Sequence, residues 1–171
     1  MLFRSVWLFF QVCERRHLMF ATNQQLDVLS RAKTWYVDGT FKLCRSPFTQ
    51  LLTVNAFIRS GECTKQVPLL FVIMSGRKKK DYRAVFRALL DILPVPPAVR
   101  QITVDFERTI WSVLRQVFTN VKIQGCVFHW SQALWRKVCN NIVSELDKLD
   151  TMHNGDKQSS NVDHIIPKNA K

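Results

Sequence analysis

Two aspartates stand where an apolar run of strand-forming residues ends. Asp38 follows Trp35-Tyr36-Val37 and precedes Gly39-Thr40-Phe41, while Asp105 follows Gln101-Ile102-Thr103-Val104 and precedes Phe106-Glu107. A carboxylate among β-branched and aromatic residues is costly to desolvate unless it meets donors or a cation, and a divalent metal is one such partner. Two carboxylates from neighbouring strands of one sheet are also the donor type that holds Mg²⁺ or Mn²⁺ for phosphoryl transfer. There a metal pair roughly 3.5–4 Å apart takes about three of them. Each aspartate has a plainer reading as well. Asp38-Gly39 is a common hairpin-turn pair, and Asp105 suits a helix N-cap, with Glu107 favouring the helix dipole in the first turn.

Cys126 and His129, spaced Cys-x-x-His, are the next candidates. A structural zinc takes four ligands; Cys139 and His153 could supply the other two, at no regular spacing. The alternative is a Cys and a His packed where a strand meets a helix. Arg77, Lys78, Lys79 and Lys80 form one basic run and Arg136-Lys137 a second. Both suit DNA phosphates, and both equally suit a solvated face. Trp130 and Trp135 lie beside the second run as stacking candidates, although their apolar helical setting favours core packing.

The elements that must position these residues follow from the pattern. A short amphipathic helix falls at 20–33, capped by Thr22 or Asn23. Segments 34–41, 50–58 and 67–74 read as three successive strands, with turn residues between them close enough for antiparallel pairing. The third, VPLLFVIM, is apolar without alternation, which suits a strand covered on both faces. A helix at 81–92 ends at the Pro-rich break, a fourth strand occupies 99–106, a helix 107–118 and a fifth strand 121–128. A last helix runs from about Ser131 to Leu149, with Ala133, Leu134, Val138, Ile142 and Leu146 on its apolar side. The order β-β-β-α-β-α-β-α is that of an α/β (α+β, mixed-sheet) RNase H-like fold.

Composition agrees with a folded, nucleic-acid-facing chain. Lys plus Arg number 25 against 13 Asp plus Glu, a net charge of +12 over 171 residues, which is the footprint of a phosphate-neutralising protein and is shared by other basic proteins. The hydrophobic share of 47% excludes disorder through most of the length. The five cysteines are odd in number and lack framework spacing, which points to a reduced setting. Residues 1–19 read as an apolar N-terminal segment outside the core, either a buried strand or helix or extraneous sequence. The segment lacks a small-x-small cleavage site and is too short to span a bilayer. A secreted basic protein would require this run to be cleaved. Residues 150–171 turn polar and read as a disordered tail.

From about Phe20 to Val138 the chain resembles the MULE (Mutator-like element) transposase domain of the DDE-type transposases. Four segments carry the resemblance: Phe20-Ala21-Thr22 with its helix; Trp35 to Lys42; Thr103-Val104-Asp105-Phe106-Glu107; and Gly125-Cys126-Val127-Phe128-His129 onward to Lys137. The resemblance implies that 20–149 is a partial catalytic domain in which Asp38 and Asp105 are the first and second metal-binding acidic residues, with Mg²⁺ or Mn²⁺ as cofactor and zinc disfavoured. Glu107 either assists from behind them or starts a helix. It further implies DNA as partner, self-association or a transposase subunit as a second, no membrane and a nuclear location. The family's third acidic residue, a Glu, comes after a helical insertion for which this chain has no room; Glu145, Asp147 and Asp150 fall too soon. A C-terminally truncated domain with impaired or absent strand transfer is therefore expected. The alternative is a non-catalytic, domesticated basic module that binds DNA or a transposase partner.

Overall fold

The computed structural model describes residues 5–12, 15–41 and 45–155, and the chain divides into two compact units, 1–129 and 130–171. In the first unit, strand β1 (Ser5–Val12) is followed by β2 (Arg15–Thr22) and helix α1 (Asn23–Arg31). Then come β3 (Thr34–Thr40), β4 (Gln50–Ser60), β5 (Cys63–Met74), α2 (Lys79–Ile92), β6 (Gln101–Val104), α3 (Arg108–Val117) and β7 (Lys122–Gly125). Among the described residues the sheet has seven strands in the order β1-β2-β5-β4-β3-β6-β7. β3, β4 and β5 pair antiparallel, whereas β6 joins β3 and β7 joins β6 in parallel, each reached through a helix. This is the expected mixed α/β, RNase H-like arrangement.

Alternation along β3 explains how the layers form. Trp35 and Val37 are buried, and Tyr36 and Asp38 fall on the opposite face. The Trp35 indole Nε1–H donates to the Leu29 carbonyl of α1 at 3.0 Å. Its ring meets Phe118 edge-on at 5.6 Å, and Phe118 meets Phe86 of α2 at 6.0 Å. One indole thus ties α1, α2 and the end of α3 to β3, an interior strand of the sheet. Thr22 caps α1, accepting from the Gln25 amide while Gln25 Oε1 accepts from the Thr22 amide, a reciprocal box that satisfies two end donors.

β5 departs from expectation. Leu70, Val72 and Met74 are fully buried, whereas Phe71 and Ile73 are only partly so. The uninterrupted apolar run therefore serves one covered face and one half-covered face.

The expectation that residues 1–19 lie outside the core is corrected from Arg15 onward. β2 pairs with β5, and His17, Met19 and Ala21 alternate into the interior. What makes this possible is a charge cluster at the start of α2. The Asp81 carboxylate is fully buried; its Oδ2 accepts from the Arg15 guanidinium and, at 2.8 Å, from the Lys78 amide, while His17 Nε2 lies 3.6 Å from its Oδ1. Ser75 and Arg16 close the corner through two hydrogen bonds of 3.1 and 2.8 Å. Gly76 is required there, because a Cβ would overlap Arg15 and stand 2.7 Å from Asp81 Oδ2.

The second unit consists, in its described part, of most of helix α4 (Val127–Gly155), which starts earlier and ends later than the sequence suggested. Residues 150–155 of the expected polar tail are helical, and residues 156–171 lie outside the described residues. Trp130 and Trp135 are exposed, correcting the preference for core packing, and so are Leu134, Val138, Ile142 and Leu146. Among the described residues no helix is long and apolar enough to cross a membrane.

Asp81 is the buried member of its pair while Arg15 is 27% exposed, so Asp81→Ala leaves the Lys78 amide without its acceptor rather than a buried charge alone. It is expected to lower the unfolding free energy by about 1–3 kcal/mol in urea titrations. His17 adds a pH dependence. Burial lowers its pKa below the ordinary 6.5 and outweighs the upward pull of Asp81, whose carboxylate is already engaged by Arg15. The unfolded chain then binds the proton more readily than the native one, so stability is lost as pH falls below 6.5. Chemical denaturation between neutral and mildly acidic pH should show this loss, and His17→Gln should flatten it.

Candidate functional site

β3 and β6 run side by side in a register that pairs Tyr36 with Thr103 and Val37 with Val104. One step further along both strands stand Asp38 and Asp105. β7 extends the row, pairing Gly125 with Val104, and the Cys126 amide donates to the Val104 carbonyl at 3.0 Å. Because Val37 and Val104 point into the core, the two aspartates project from the other face. His129, in the first turn of α4, faces both: its Nε2 lies 3.5 Å from Asp38 Oδ1 and its Nδ1 3.8 Å from Asp105 Oδ1. These separations are too long for good hydrogen bonds. His129 Nδ1 is shielded from solvent without a hydrogen-bond partner.

The plainer readings of the aspartates do not hold. Asp38 and Gly39 are inside the β3–β4 ladder, opposite Thr53 and Leu52, and form no turn. The N-cap of α3 is Glu107. Asp105 instead accepts from the Phe106 amide at 2.6 Å through Oδ1, and its carbonyl accepts from Trp111 Nε1–H at 2.8 Å. The expected desolvation cost is also smaller than the apolar sequence implied, since the side chains of Asp38 and Asp105 are 49% and 36% exposed.

Two oxygen-donor side chains on neighbouring strand ends, beside an imidazole with an unsatisfied nitrogen, fit a hard divalent cation in donor chemistry. Among the described residues, however, no three His, Cys, Asp or Glu side chains form a group that could hold a metal ion. Cys126 is half-buried with a free thiol, and both His129 nitrogens are directed at aspartates rather than toward a shared site with Cys126.

Behind the aspartates lies a buried polar network that the sequence did not disclose. The Tyr82 hydroxyl donates to Glu107 Oε2 at 3.0 Å and accepts from Gln50 Nε2 at 3.0 Å, and Gln50 Nε2 also contacts Met74 Sδ at 3.0 Å. Burial, chiefly, raises the Tyr82 pKa far above its ordinary value, so the phenol stays protonated and holds Glu107 in place. Tyr82, not among the residues singled out from the sequence, occupies an apolar-stripe position of α2 with Val85, Phe86 and Leu89, a spacing that signals burial but not partners.

Arg77, Lys78, Lys79 and Lys80 are all exposed. Arg77 sits over the Phe41 ring at 4.8 Å and, with Asp105, Phe106 and Glu107, lines a cleft of about 450 Å³. Arg136 and Lys137 are exposed on α4 in the second unit, where Arg136 donates to Gln132 at 3.3 Å.

The mixed sheet places this protein among α/β folds of the RNase H-like kind. A family model described as the MULE transposase domain matches residues 34–133, more than half of the chain, and the chain belongs to that family. No curated protein and no solved structure matches it.

Tyr82→Phe removes the hydroxyl and leaves Gln50 and Glu107 short of a partner inside the fold. It should cost about 1–3 kcal/mol of stability, read from denaturant midpoints at constant m-value.

Proposed function

We propose that this chain supplies the first two acidic residues of a DDE-type DNA transposase centre, Asp38 and Asp105, acting on a DNA phosphodiester. The observation that carries this reading is the β3–β6 register, which sets Asp38 on β3 beside Asp105 just past the end of β6, in a chain of the MULE family. Asp38 and Asp105 would hold Mg²⁺ or Mn²⁺, which when bound polarises the phosphodiester and activates the attacking hydroxyl. His129 faces both carboxylates. Arg77 to Lys80 meet the DNA backbone. Two of these, Lys79 and Lys80, stand in the first turn of α2, where the helix dipole disfavours cations, so helix stability does not account for them. Arg136 and Lys137 extend the phosphate contacts, and the location is nuclear.

Strand transfer by this chain alone is expected to be weak. No third carboxylate joins the pair among the described residues, and losing one member of a constellation that acts as a unit commonly removes most of the rate. The same observation favours a second reading, a basic module that binds DNA or a transposase subunit without catalysis.

Mn²⁺ titration by calorimetry, with plasmid nicking in parallel, separates the two. The first reading expects Mn²⁺ binding by the wild-type chain that disappears in Asp38→Asn/Asp105→Asn, together with slow nicking that disappears with it. Equal heats from both proteins and no nicking would sink it. DNA affinity that falls with salt and ignores both substitutions would then establish the binding module.

A further inference from the structure

Phe106, next in the chain to Asp105, is 55% exposed, yet it is firmly held. Its ring lies against Gly125, where even a Cβ would overlap it, and stacks on Trp111 at 6.2 Å between centroids and 24° between planes. Trp111 is in turn pinned by its hydrogen bond to the Asp105 carbonyl, and the Arg115 guanidinium lies over its ring at 5.5 Å. Phe106 is also the wall shared by two clefts. On one side is the cleft of Asp105, Glu107 and Arg77; on the other is an apolar groove of about 640 Å³ lined by Phe106, Arg108, Trp111, Ser112, Arg115 and Gln116.

We propose that this groove is a binding site for unpaired DNA, with Phe106 as the platform on which a base stacks and Arg108 and Arg115 as the groups that meet its phosphates. Every base offers a π-face, so aromatic stacking accepts any sequence, and cations along the groove neutralise the backbone. The groove pairs its aromatic wall with two arginines and has no carboxylate in its lining, a charge balance suited to a polyanion and unsuited to an acid-neutral apolar helix. An exposed phenylalanine pressed onto a glycine is pre-organised, so little side-chain entropy is lost when a base lies on it. The proposal rests on the transposase reading only for its location beside Asp105; the stacking itself needs neither metal nor catalysis.

The test is fluorescence anisotropy of a short labelled oligothymidylate with the full chain, in EDTA, against Phe106→Ala, Phe106→Leu, Phe106→Tyr and Arg115→Gln. Loss of a stacked base should weaken binding roughly 5- to 100-fold in the Ala variant. Leu should fail to restore it, Tyr should restore it, and Arg115→Gln should reduce the salt dependence. A duplex of equal length should be insensitive to Phe106. Ala binding as tightly as wild type overturns the proposal. So does equal rescue by Leu and Tyr, which would mark the groove as an apolar seat for a protein segment. Because EDTA excludes metal, stacking that survives in Asp38→Asn/Asp105→Asn stands even if nicking is never seen, whereas wild-type affinity in Phe106→Ala removes the groove and leaves the catalytic reading to the separate nicking assay.

Discussion

The parallel pairing of β3 with β6 is the constraint on which the rest of the structure depends. β3 is an interior strand at which the sheet changes sense, antiparallel to β4 on one side and parallel to β6 on the other. Parallel neighbours need a crossover, so α2 must pass over the sheet before β6 can form. The apolar face of α2, with Val85, Phe86 and Leu89 buried, then covers the side of the sheet from which Trp35 projects. Once the register is set, alternation does the remainder: Val37 and Val104 go in together, and Asp38 and Asp105 come out together.

The site face is supported from within. The Gln50–Tyr82–Glu107 network spans the head of β4, the first turn of α2 and the N-cap of α3, so the segment that carries Asp105 is anchored on both sides of that residue. Buried hydrogen bonds of this kind contribute modestly when made and cost much more when broken. Their effect is to fix geometry at the strand ends, where the backbone has left the ladder and would otherwise be free to vary.

The N-terminal hairpin enters the fold through a different currency. Apolar alternation on β2 brings Met19 and Ala21 inward, but His17 comes with them. An interior histidine beside an aspartate and an arginine is tolerable only because Asp81 is satisfied by Arg15 and the Lys78 amide. The same aspartate offsets the lysines at the start of α2, so one carboxylate both closes the sheet corner and permits an exposed basic run.

Secondary structure was largely legible, because periodicity is a local property: the strands at 34–40 and 50–60 and the helices at 23–31, 79–92 and 108–117 lie close to where spacing, caps and turn residues put them. The aspartates were legible as residues of the wrong type in an apolar run, and their rank in the family pattern as a resemblance. Other features depended on partners distant in sequence. Whether residues 15–19 belonged to the core rested on Asp81, and the half-covered second face of β5 on what packs against it. The convergence of His129 on both aspartates required three strands to settle into one register. Sequence by itself thus determined which segments are strands and helices and which carboxylates stand out. Only the tertiary structure decided which side chains meet, because register and burial are set by contacts between segments that no local pattern encodes.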